Sequence, residues 1–235
     1  MKFAVKVAIK YKKGAVLISV CLFLMIPLLY LANTYKKPSA QIERDTIVAW
    51  VPSVKPEKSA THRPTAFSMP NRSTTLMISM ESEILGGTGG TTKESPQHSY
   101  YSRGWNAENQ SWLISGIATQ GYVNLEISFW VRGSSTGPRD FELEFSSDGE
   151  QWLPLTSSSS VPIKYAISPD NKFQQIGPYQ LNTVANDLDT LHIRFINTSA
   201  RAISGDTVKS SGTSYITDIV ITGEPIQNIT SEGKD

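Results

Sequence analysis

ISFWVRGSSTGPRDFELEFSSDGEQW, residues 127–152, alternates apolar and polar side chains in two runs. A Ser/Gly/Pro turn joins the runs and Ser-Asp-Gly closes the second, the pattern of two antiparallel strands read as a β-hairpin. Alternation assigns faces. Leu125, Ile127, Phe129 and Val131 point to a core, and Glu126, Ser128, Trp130 and Arg132 point away from it. Phe141, Leu143 and Phe145 point in, while Glu142 and Glu144 point out. The odd member is Trp130, a large aromatic on the polar side.

The same texture continues on both sides. Strands are expected over 76–85, 111–117, 122–133, 140–149, 173–181, 190–199 and 214–223, with a short one near 161–167. Gly86-Gly87, Gly89-Gly90, Gly137-Pro138, Asp148-Gly149 and Pro169-Asp170-Asn171 punctuate them. In 190–199, Leu191, Ile193 and Phe195 face the core and His192 and Arg194 face out. Short, evenly spaced strands without helical periodicity predict an all-β sandwich or barrel.

The N-terminus is of another kind. Lys2, Lys6, Lys10, Lys12 and Lys13 precede an uncharged run, residues 14–35, about long enough to cross a bilayer as a helix. The lysine excess on its upstream side orients residues 1–13 to the cytoplasm and the bulk outward. The reading is an uncleaved signal anchor in the cell membrane; the alternative is a cleaved signal peptide. Residues 36–75 carry prolines at 38, 52, 56, 64 and 70 and read as an extended stalk. The patch Ile47–Trp50 (IVAW) breaks its polarity and is free to dock on the domain, the membrane interface or a partner. Residues 76–225 form the ectodomain and 226–235 a polar tail. The single cysteine, Cys21, lies in the apolar run, so the ectodomain has no disulfide. The formal net charge of +1 gives no reason to expect nucleic acid as a partner.

Catalytic signatures are missing. The histidines are His62, His98 and His192, and no G-x-S-x-G, H-E-x-x-H or C-x-x-C occurs. GGTGGTT (86–92) lacks the Lys-Ser/Thr ending of a phosphate loop.

Carbohydrate chemistry is better served. Sugars stack on aromatic rings and bond to charged or amide groups. Trp130, Arg132, Glu142, Glu144, His192 and Arg194 suit that use if their strands are neighbours, with Tyr100, Tyr101 and Trp105 of the aromatic-rich loop 98–105 as a rim. The competing reading is a solvated face of Glu–Arg cross-strand pairs, with Trp130 covered by a loop or the spacer. Trp112 and Trp152 read as core or strand-edge packing.

The stretches from Ser128 to Trp152, 173–181, 191–199 and 211–223 together resemble a bacterial cell-surface jelly-roll module of the galactose-binding-domain-like class. Such modules are found beside secreted nucleases and metallophosphoesterases. The likeness spans about residues 76–224. It implies a jelly-roll sandwich, here behind a single transmembrane helix, and a non-catalytic role with carbohydrate as ligand. It also implies a structural Ca²⁺ held between the first and last strands, which places Glu81 or Glu83 opposite Asp218. The sequence thus points to a membrane-anchored, extracellular or cell-wall-facing module that binds envelope or extracellular glycan. An interaction subunit of an envelope protein assembly is the alternative.

Overall fold

The computed structural model describes residues 43–68, 70–79, 83–88, 95–105 and 108–227. The expected anchor, the first part of the stalk, Glu81 and the tail from 228 onward lie outside them. Among the described residues, no helix is long and apolar enough to cross a membrane.

Fourteen strands form among the described residues. The first seven are β1 (Asp45–Trp50), β2 (Thr61–His62), β3 (Ala66–Phe67), β4 (Thr75–Ile78), β5 (Leu85–Thr88), β6 (His98–Ser102) and β7 (Ser111–Ile117). The others are β8 (Tyr122–Gly133), β9 (Asp140–Ser146), β10 (Leu153–Pro154), β11 (Lys164–Ala166), β12 (Gln174–Gln180), β13 (Leu191–Asn197) and β14 (Ser214–Pro225). They build two antiparallel sheets, as the alternation predicts. The front sheet runs β12-β8-β14-β1-β3, with β6 and then β5 continuing from β14. The back sheet runs β10-β9-β13-β7-β4-β2, with β11 also on β9. From β7 to β9 and again from β12 to β14 the chain alternates between sheets, which is the jelly-roll path.

That path corrects the hairpin. β8 lies in the front sheet and β9 in the back, so the Gly137-Pro138 connection crosses between layers. Each strand has a wholly apolar inner face, and such faces are buried best against each other. Phe129 on β8 meets Phe195 on β13 edge-on at 4.8 Å and Tyr165 on β11 edge-on at 5.3 Å, both across the layers. Trp112 on β7 sends its indole N–H across the core to the Ser214 hydroxyl on β14, 3.0 Å. The crossing loop needs glycine, because a Cβ on Gly137 would come within 2.3 Å of the Thr213 carbonyl oxygen.

The expected stalk is corrected too. All of it from Glu43 onward belongs to the domain, the compact unit that begins there. IVAW is the core of β1. Its four residues are buried, three of them completely, because β1 pairs with β14 on one side and β3 on the other. Of the three docking options for IVAW, it takes the domain itself. Arg44 fastens the entry to β1 by an ion pair to Glu224 at 2.9 Å and a second to Glu126 at 3.5 Å.

Candidate functional site

The crossing of β8 and β9 divides the predicted ligand residues between the outer surfaces of two different sheets. Trp130, Arg132 and Tyr101 lie on the front. Glu142, Glu144, His192 and Arg194 lie on the back. Trp105 is on neither: it is fully buried, packs against Trp112 and Phe141, and donates to the Ser102 carbonyl at 3.2 Å.

The back face is a set of satisfied pairs. Arg194 on β13 stands directly across from Glu144 on β9 and bonds it through Nε at 2.6 Å and Nη2 at 2.5 Å. Trp152 caps that pair, its ring 4.3 Å from the guanidinium. Lys164 on β11 holds Glu142 at 2.8 Å. This is the cross-strand lacing that competes with a sugar site.

His192 sits opposite a bulge of β7, where Ser115 and Gly116 face one residue, and its Nδ1 is 3.0 Å from the Ser115 hydroxyl. Burial lowers the His192 pKa, with the nearby Asp148 charge opposing. A serine–histidine pair needs a third group to orient the base and a concave floor to hold substrate. The Asp148 carboxylate is turned inward to its own loop, accepting from the Ser146 hydroxyl and the backbone N–H groups of Glu150 and Gln151. Those bonds hold its pKa down at about 2. The open depression lined by residues 200, 201 and 205–209 lies elsewhere.

The front face is built differently. Register sets one transverse row across it. Arg132 on β8 pairs with Tyr215 on β14, which pairs with Tyr101 on β6, and Phe173 falls opposite Arg132 one residue before β12 begins. The Arg132 guanidinium is held between two rings, 4.7 Å from Phe173 and 4.4 Å from Tyr215. Tyr215 stacks on Tyr101 at 5.1 Å, and Arg103 lies 5.8 Å over the far ring. Gly87 on β5 makes room for both tyrosines, since a Cβ there would press on each at 3.2–3.3 Å. Trp130 begins the next row, half-buried between Gln175 and Thr217. Side chains two apart on a strand face are about 6.6 Å apart, so Trp130 and Arg132 adjoin. The Arg132 Nε is buried without a hydrogen-bond partner.

Phe173, Tyr215 and Arg103 were not singled out from the sequence. Tyr215 carried the same signal as Trp130, an aromatic at an outward position of an alternating strand. His98–Ser102, expected as a loop, is β6, and that strand brings Tyr101 into the row.

Of the expected calcium ligands, Glu83 and Asp218 are not brought together, and Glu81 lies outside the described residues. β5 and β14 both run antiparallel to β6, so their residues are level: Leu85 with Tyr101 and Tyr215, Gly86 with Tyr100 and Ile216. Glu83 is therefore level with residue 213, five positions or about 16 Å from Asp218 along the strand. Glu83 is exposed and ion-paired to Lys58. Among the described residues, no group of three His, Cys, Asp or Glu side chains could hold a metal. Asp218 has another reason to sit among apolar neighbours. It occupies the bulge where β14 exchanges β6 for β1 as partner, with φ of 45°, a conformation that aspartate tolerates better than most residues. Burial raises its pKa, and a hydrogen bond from the Thr217 hydroxyl at 3.1 Å works the other way.

No protein-family model matches the sequence. No curated protein matches it. Among solved structures, the chain is similar to the CBM22-2 xylan-binding domain from Paenibacillus barcinonensis, with 16% identity and a TM-score of 0.40 over 66% of this chain and 93% of that one. It is similar to the family 11 carbohydrate-binding module of a cellulosomal cellulase from Clostridium thermocellum, with 11% identity and a TM-score of 0.35 over 80% of this chain and 99% of that one. It is also similar to the enzymatically active domain of tailspike protein 4 from bacteriophage CBA120, with 12% identity and a TM-score of 0.37 over 63% of this chain, which spans 19% of that one.

Proposed function

We propose that this chain is a non-catalytic glycan-binding module whose platform is the outer face of the front sheet. The observation that carries the reading is the row Phe173–Arg132–Tyr215–Tyr101, with Trp130 beside it on the same face. The half-buried rings of Trp130, Tyr215 and Tyr101 offer a stacking surface for the apolar faces of sugar rings, while Phe173 is buried and backs Arg132. Gln175 and the Arg132 fork offer hydrogen bonds at its edge. The back face supports binding less well, because its charged groups already hold one another. Within the same proposal, the run at 14–35 holds the module to the cell membrane with its bulk outside. The reading as a protein-docking subunit loses its main surface, since IVAW is inside the sheet.

Affinity electrophoresis of the full-length chain in mild detergent, against neutral and acidic polysaccharides, tests this. Saturable binding is expected, weakened about tenfold in Trp130→Ala, the size of one lost stacking contact. Binding unchanged in Trp130→Ala but lost in Trp152→Ala would move the site to the back sheet. A folded chain that binds no polysaccharide would refute the reading.

A further inference from the structure

Charge is paired unevenly over this molecule. Arg44, Lys58, Arg139, Lys164 and Arg194 each hold a carboxylate. Among the described residues, no carboxylate lies within ion-pair distance of Arg132 or Arg103, the two cations of the front-face row. Arg132 is the more telling. It is half-buried, its plane is fixed between two rings, and its Nε is buried without an acceptor. Taking a guanidinium partly out of water without a counter-ion is costly, and ring stacking offsets only part of that. The same clamp presets the orientation of the planar fork, so little side-chain entropy is lost when a carboxylate arrives.

From this we infer that the front face selects a carboxylate-bearing glycan, a polymer of uronic acids, with Arg132 as the group that reads the carboxylate and Arg103 adding positive field at the row's end. The inference rests on the glycan-binding reading and deepens it. The geometry suits one sugar unit: a ring stacked on Trp130 directs a substituent along β8 toward Arg132, its neighbour on the same face. A carboxylate there accepts charge-assisted hydrogen bonds from the guanidinium, and a neutral hydroxymethyl group in its place accepts weaker ones. The back face gives the internal contrast. There the guanidinium of Arg194 also stacks on an indole, but its fork is occupied by Glu144.

The test changes the ligand before it changes the protein. The full-length chain is titrated with polygalacturonate and with the same polymer after carboxyl reduction, which replaces each carboxylate by a hydroxymethyl group. Dextran sulfate serves as a polyanion without carboxylates. The inference expects polygalacturonate to bind about tenfold tighter than its reduced form, the factor for one charge-assisted bond, and tighter than dextran sulfate. Arg132→Gln should erase that preference, and Arg132→Lys should restore only part of it, because an ammonium keeps the charge and loses the fork. Arg103→Gln, at an exposed position, should reduce the preference without disturbing the fold and so covers the case in which Arg132 variants unfold. Equal binding of the acidic and reduced polymers would overturn the inference and leave the glycan reading standing. Equal binding of dextran sulfate would reduce the effect to non-specific charge and overturn it as well. Binding of none of the three, or of any other polysaccharide, would overturn both readings together.

Discussion

The indole N–H of Trp50 on β1 donates to the carbonyl of His62 on β2, 3.0 Å away, and so ties the front sheet to the back. β1 is completely buried from Ile47 to Val48 and at Trp50, and it completes the inner edge of β14 from Ile219 to Gly223. The segment that reads as a stalk is therefore structural. A chain that begins at Thr75 lacks β1, β2 and β3 and leaves β14 unpaired along that edge. It should fail to fold, recovered as aggregate or with no cooperative melt. Trp50→Ala in the full chain should cost about 3–5 kcal/mol, as for other buried tryptophans, measured by denaturant unfolding. A well-folded truncated chain would show that β1 is dispensable.

Asp218 is the residue whose sequence reading and position disagree most. The bulge of β14 accounts for it without a metal. Its carboxylate is costly to keep charged, since burial raises its pKa. A raised folded pKa contributes stability that is full below the ordinary value of 3.8 and lost as pH rises through the folded value. Near neutral pH the charge is therefore a burden. Asp218→Asn retains a residue tolerant of positive φ and should raise the melting temperature by about 2 °C. Added Ca²⁺ should leave wild type and variant unchanged. A Ca²⁺-dependent rise that Asp218→Asn abolishes would restore Asp218 as a ligand.

The parts of the fold that were legible are those written in period-two alternation. β7, β8, β12, β13 and most of β14 stand where the pattern puts them. Sheet membership was not legible, because alternation says which side chains share a core but not whether two strands are side by side or face to face. Phe129 and Phe141 both point in, and they do so from opposite sheets. That one ambiguity divided the predicted site, sending Trp130 and Arg132 to one surface and Glu144 and Arg194 to the other. Prolines misled in the opposite sense. Pro52, Pro56, Pro64 and Pro70 flank β1, β2 and β3 without interrupting them, since proline is excluded from the interior of paired strands and not from the loops beside them.

On the back face, Arg194 and Glu144 face each other with side chains about one quarter and one fifth exposed. Their pair is stiffer than an open surface contact, because Trp152 covers the guanidinium. A double-mutant cycle with Arg194→Met and Glu144→Gln, read by chemical denaturation, should give a coupling of about 1 kcal/mol. Repeating the cycle in a Trp152→Ala background should lower it, since the uncovered pair becomes better solvated. A coupling unchanged by loss of the ring would mean that Trp152 rests on the pair without strengthening it. Glycan binding on the front face should be indifferent to all three substitutions.

His62, His192 and Asp148 each make stability fall as pH drops. His62 and His192 have pKa values lowered by burial, His62 beside Tyr100 with its Nε2 buried and unpartnered, and His192 against Ser115 with Asp148 opposing. A lowered histidine is favoured neutral in the folded state. Below the ordinary value of 6.5 the unfolded chain takes up the proton first, so stability falls as pH drops through 6.5 toward the folded values. Asp148 acts lower. Its pKa of about 2 means that its contribution is present above 3.8 and is lost as pH falls from there toward 2. Melting curves should therefore show one decline between pH 7 and pH 5 and a second below pH 4. His192→Gln should flatten part of the first decline and leave the second. Asp148→Asn should lower the melting temperature at pH 7 and flatten the second, because the amide accepts the loop's backbone N–H groups more weakly than a carboxylate does. A first decline of full size in the double variant His62→Gln/His192→Gln would trace it to other groups.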